Sequence, residues 1–276
     1  MKKFIISLFA AVAMVLPACA ADWNASDRVP AVGKQLLQKN SLPSNTTFKV
    51  VSGSGNNANV ATTNVIYISE SDLTYAGNDN EVAAVISTEL GHIINGHYAK
   101  NKMRDAAKAA LTSNLSADNV ITTAAYSDFV TNKTSLKDNK EADITGADMM
   151  IQAGYNPLAM IVVITKQPGS IWETLSGKPS NAERAMNVYD YLTYNYPSKV
   201  KAGYGCNEYR AFLAYADPIV EKRNASAKKL EKFNKEQAQA KAERAANIAK
   251  YKATGGLTGW DATYTILKNL SESSEN

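Results

Sequence analysis

From Asn80 to about Lys102 one stretch carries an apolar stripe with ionisable side chains set into it. Val82, Val85, Ile86, Leu90 and Ile93 recur at helical spacing, with Asp79 placed to cap the helix and Glu89 and His92 lying among them. A helix built this way must bury its stripe, and a carboxylate taken out of water without a partner is costly. Glu89 therefore needs a cation or a proton donor inside the fold. Arg184 is a suitable partner. The rest of the chain has to supply both the cover and the partner.

The 276 residues suffice for one large domain with appendages and a core that needs no stapling. Apolar residues at 45% and charged residues at 20% exclude wholesale disorder. A net charge of +4 is too small to argue for a nucleic-acid partner. Residues 32–38 read as a short helix. Residues 48–51 and 64–68 are β-rich runs around the turn signal Ser52-Gly53-Ser54-Gly55-Asn56-Asn57, which suggests a hairpin or small meander. Helical patterns follow at 103–112, 138–154, 157–167, 181–194 and 207–220. The expected class is α+β, mostly helical with one small sheet.

Both termini differ from this body. Residues 1–20 combine a basic start, an apolar run from Phe4 to Leu16 and a small-residue region, the layout of a secretory signal peptide. Ala18-Cys19-Ala20 suits soluble export, whereas Leu16-Pro17-Ala18-Cys19 would lipidate Cys19; either route leads to the periplasm or cell envelope. Cys206 then has no disulfide partner and reads as a free thiol. A body over residues 21–220 is followed by residues 221–254, with ten Lys/Arg against four Asp/Glu. That is a net +6, leaving −2 for the remainder of the chain. This segment reads as a long solvated basic helix, open to contact with an acidic partner or a membrane surface. Residues 255–276 form a tail.

The central helix contains Thr88-Glu89-Leu90-Gly91-His92, then Gly96-His97. In H-E-x-x-H, histidines four apart grip one Zn²⁺ and the intervening glutamate activates the metal-bound water. Residues 81–97, the block Glu141-Ala142-Asp143 with Gly146, Asp148 and Gly154-Tyr155-Asn156-Pro157, and Pro179 with Arg184 together carry a family likeness. The chain resembles the zinc metalloendopeptidases of the CAAX prenyl protease, HtpX and periplasmic quality-control type (peptidase M48). The resemblance implies a zincin-type metallopeptidase domain and metal-dependent proteolysis of exported or envelope proteins. A peptide substrate would lie along the strand near 64–68. It also implies Glu89 as catalytic base, His92 and Glu141 as ligands of one zinc ion, and Asp143 and Arg184 as supporting residues.

Thr88 stands where that family has its first histidine, and Lys178 where it has another. A threonine hydroxyl is a poor zinc ligand near neutral pH. His97 lies nine residues from Thr88, about 180° round a continuous helix, so it should face away. The expectation is an impaired zinc site, with a non-catalytic peptide-binding or chaperone-like relative as the alternative.

Overall fold

The computed structural model describes residues 23–43, 46–52, 65–97 and 135–253. The expected signal peptide, the helical pattern at 103–112 and the tail at 255–276 lie outside these residues.

The first helix, α1 (Ala25–Lys39), begins well before the expected Val32. Pro30 sits inside the helix and is exposed. Its missing N–H removes one bond, while Asn24 caps the N-terminus by accepting from the Ser26 N–H at 2.9 Å. Val29, Val32 and Leu36 make the buried face.

Strands β1 (Thr47–Val51) and β2 (Val65–Ser69) pair in parallel, with Phe48 opposite Ile66 and Val50 opposite Ile68. The expected hairpin is therefore incorrect. A turn signal tells where a strand is left and says nothing about the direction of the next one. Residues 52–64 supply about the dozen that a parallel connection needs.

A single turn, α2 (Glu70–Leu73), leads into α3 (Asp79–Ile94), the central helix. Its cap is Asn78 rather than Asp79: the Asn78 side chain accepts from the N–H groups of Asn80 and Glu81. Asp79 instead takes a two-pronged bond from Arg28, at 2.8 and 2.7 Å, tying α1 to α3. The helix ends at Ile94, eight residues short of the expected Lys102, because Gly96 turns the chain at φ +70.

Next, α4 (Leu136–Ala153) packs on α3 at very close range. A methyl group at Gly91 would stand 2.2 Å from the Ala142 carbonyl oxygen, and one at Gly146 2.7 Å from that of Ser87. These two glycines let the backbones touch. Gly154 closes α4 in the left-handed region, and α5 (Leu158–Lys166) then runs through the interior, buried from Leu158 to Ile164. The short α6 (Ile171–Leu175) precedes α7 (Ala182–Asn195), α8 (Pro197–Ala202) and α9 (Asn207–Asn224). The architecture is mostly helical with one two-stranded sheet.

The basic segment does not project as a free arm. Its expected start at residue 221 falls inside α9, and α10 (Ala227–Ala253) follows after a break. Phe233, Arg244 and Tyr251 are buried on one stripe of α10, with Leu230, Ala240 and Ile248 partly covered along it. Lys241 donates to Asp148 at 2.9 Å, Asn247 to Asn95 at 2.8 Å, and the Arg223 guanidinium lies 3.6 Å from the Phe233 ring centroid. The apolar residues alone looked too sparse to dock; the stripe is completed by an arginine and a tyrosine whose stems are apolar. No described helix is long and apolar enough to cross a membrane.

Candidate functional site

The two sequence blocks meet where α3 crosses α4. Thr88, half-buried on α3, donates to Asp143 Oδ1 at 3.2 Å, with the Met160 sulfur also at 3.2 Å. Asp143 is fully buried and takes Arg184 through both oxygens, Nε to Oδ2 and a terminal nitrogen to Oδ1, each at 2.9 Å. Burial opposes the charge on Arg184, but Asp143 more than offsets it and holds the guanidinium above its usual range. Glu89 and Asp72 add to that field. The guanidinium expected beside Glu89 is thus paired with Asp143, and the buried Glu89 reaches it only through the longer-range field.

His92 is 2% exposed, and burial, followed by repulsion from His97 and Arg184, pushes its pKa down to about 3. It is a neutral imidazole at physiological pH. His97, expected to face away, is buried too, and its Nδ1 stands 3.0 Å from His92 Nδ1. The correction has a local cause. The 180° estimate assumed an unbroken helix, whereas the Asn95–Gly96 ending folds the chain back across the last turn. The signal was present in Gly96, a residue that ends helices when it takes positive φ. Burial lowers the pKa of His97 as well, against the pull of Glu141 and Asp138.

Glu141 meets this second histidine. Its Oε2 lies 3.2 Å from His97 Nε2, and Lys137 is 3.8 Å from its other oxygen. The carboxylate assigns the proton of His97 to Nε2, which leaves His97 Nδ1 to accept from His92 Nδ1–H. From α4 it is Asn139 whose side chain hydrogen-bonds the His92 ring. Asn139 and Asp143 are four apart and share the face turned to α3, whereas Glu141 sits 200° round the helix from either. Asn139 and His97 are the two site residues that sequence reasoning missed.

A catalytic zinc needs three protein donors and one open position. Here the Thr88 hydroxyl is engaged by Asp143, His92 Nδ1 by His97, and Glu141 by the far nitrogen of His97, while Asn139 offers a neutral amide. Among the described residues no three His, Cys, Asp or Glu side chains are placed to share one metal ion. The residues present do not fit zinc. What they form is a hydrogen-bonded chain from Glu141 through His97 to His92, beside a buried carboxylate–guanidinium cluster.

Other candidates resolve simply. Lys178 is exposed. Asp148 accepts from Tyr191 and Tyr196 at 2.7 and 2.6 Å and from Lys241, so it joins α4, α7 and α10. Cys206 is a free, half-buried thiol whose sulfur caps α9 by accepting from the Tyr209 N–H, and burial raises its pKa.

Comparison with known proteins places this arrangement. Over 127 residues the chain is 27% identical to metalloprotease LoiP of Escherichia coli (strain K12), covering 42% of this chain and 50% of that protein. The chain thus spans about half the length of the curated relative it matches. No solved structure matches it. The profile of peptidase family M48 matches residues 24–230, which contain every element from α1 to α9 and both motif blocks, and the chain belongs to that family.

Proposed function

We propose that this chain is an exported M48-family protein that engages polypeptides of the cell envelope and whose zinc-dependent hydrolysis is impaired. Membership of a metallopeptidase family supports a protein substrate. The basic, apolar and small-residue order of residues 1–20 supports export. One observation carries the impairment: Thr88, which by resemblance stands at the first ligand position, donates a hydrogen bond from its hydroxyl to Asp143. A retained peptide-binding surface is supported by β2, whose stretch Ile66–Ile68 has β1 on one side and no described strand on the other. The second reading, a metal-free binding or chaperone-like relative, is favoured by the engagement of both His92 and Glu141 with His97.

Zinc titration of the purified protein tests the proposal. Wild type should bind weakly. Thr88→His combined with Asn139→Glu should raise affinity by well over tenfold, more than about 1.4 kcal/mol, by pairing two imidazoles at i, i+4 and setting a carboxylate beside His92. Tight stoichiometric zinc in wild type would overturn the impairment, as would metal-dependent cleavage that disappears in Glu89→Gln.

A further inference from the structure

The connection between α5 and α7 inverts the usual distribution of side chains. On α6, Ile171, Trp172 and Leu175 are 70%, 75% and 70% exposed. Two polar residues of the same loop, Glu173 and Asn181, are half-buried and bonded to its backbone. Glu173 Oε2 accepts from the N–H groups of Ser170 and Asn181, and Oε1 accepts from that of Ala182, all at 2.9–3.0 Å. Asn181, at φ 52, donates its amide to the carbonyls of Ile164, Gln167 and Pro168. Gly169 admits no side chain, since a Cβ there would stand 2.9 Å from Ser180 Cα. The loop is therefore closed and held, and what it holds out is a knob of three large apolar groups.

Of the charges in and beside this loop, all but one lysine are bonded or paired among the described residues. Glu173 is committed within the loop, Glu183 pairs with Lys140, and Lys166 pairs with Glu81. Lys178 is exposed and has no ion pair among the described residues. The shape is convex, because side chains 70% exposed cannot line a groove, and peptides are held by grooves or strand edges. A convex tip with tryptophan, two aliphatic side chains and an uncommitted lysine matches a bilayer surface. Tryptophan settles at headgroup level, aliphatic groups enter the acyl boundary and cations are drawn to anionic lipid. We propose that the α6 tip is a membrane-contact site that inserts Ile171, Trp172 and Leu175 into the interface of an anionic bilayer, with Lys178 among the headgroups. This inference is independent of the peptidase reading.

The test uses the full chain and a local readout, because the apolar run at the amino terminus can itself bind lipid. In Trp23→Phe/Trp260→Phe the only tryptophan left is Trp172. With phosphatidylethanolamine–phosphatidylglycerol vesicles its emission should shift to the blue, lose accessibility to aqueous acrylamide and be quenched by lipids brominated on the acyl chains. Phosphatidylcholine vesicles should give a weaker response. Should that variant fail to fold, the difference between wild type and Trp172→Phe reads the same signal. Ile171→Ser/Trp172→Ser/Leu175→Ser should lower vesicle partitioning of the chain beginning at Ala21 at least tenfold, with its melting temperature unchanged. Vesicle binding that leaves Trp172 emission unaltered would assign the contact to another surface, such as the exposed lysines of α10, and overturn the proposal. A Trp172 response to an unfolded polypeptide but not to vesicles would overturn it in favour of a client-protein site.

Discussion

His92 shows how far an environment can move one side chain. Its pKa in the fold is about 3, against an ordinary value of 6.5. Between those values the unfolded chain takes up a proton that the folded chain refuses. Stability is therefore complete above about pH 6.5 and declines as the pH falls toward 3, by up to about 1.4 kcal/mol per unit from this group. His97, lowered for the same reason, adds in the same direction. Urea denaturation followed between about pH 7.5 and 5 should show this loss, and His92→Gln should flatten the profile relative to wild type. The Asp143–Arg184 pair belongs to the same scale. Arg184→Ala leaves a fully buried carboxylate without its cation, at an expected cost of about 3–5 kcal/mol. Asp143→Ala/Arg184→Ala should cost less than the sum of the two single changes, measured as a double-mutant cycle by chemical denaturation. Additive costs would mean that the two side chains do not act as a pair.

At the scale of elements, the contact between α3 and α4 rests on having no side chain at Gly91 and Gly146. Glycine to alanine within a helix ordinarily stabilises by about 1 kcal/mol. Here the added methyl at Gly91 would meet a carbonyl oxygen at 2.2 Å, and neither backbone can yield without moving its helix. Gly91→Ala should destabilise by about 3 kcal/mol or more, against the helical trend, and thermal denaturation checks the sign. Gly91 sits between Glu89 and His92, so the same shift would disturb the whole site. The motif reads as chemistry in the sequence, yet one of its letters serves the packing that brings the second block into reach. Gly96 has the complementary role, ending α3 so that His97 can return to His92.

For the whole molecule, the docked face of α10 changes what truncation should do. Seen as a solvated arm, the basic segment could be deleted with little effect. In the fold it buries Phe233, Arg244 and Tyr251 and places Lys241 on Asp148, which already accepts from Tyr191 and Tyr196. A chain ending at Ser226 should melt at least about 5 °C below one ending at Ala253, from the loss of two aromatic anchors and the lysine bond. An unchanged midpoint would show that α10 is dispensable to the core. Asn247 also bonds to Asn95, at the cap of α3, so α10 braces the turn that returns His97 to the site.

The sequence by itself determined the class of fold and the two blocks that meet, because apolar periodicity and local motif order are properties of neighbouring residues. That Arg184 is the cation of a buried carboxylate was legible in the same way, but the sequence offered it to Glu89 and the fold pairs it with Asp143. The sequence also placed a threonine, whose neutral hydroxyl is a poor metal donor, at position 88 between the apolar stripe and Glu89. Only the tertiary structure decided the direction of β2, the return of His97, the use of Asn139 rather than Glu141 beside His92, and the docking of α10. Each of these depends on where a chain goes after it turns or on which face of a helix is met by a distant one. A pattern of spacings read along one helix carries no information about the backbone that will cross it.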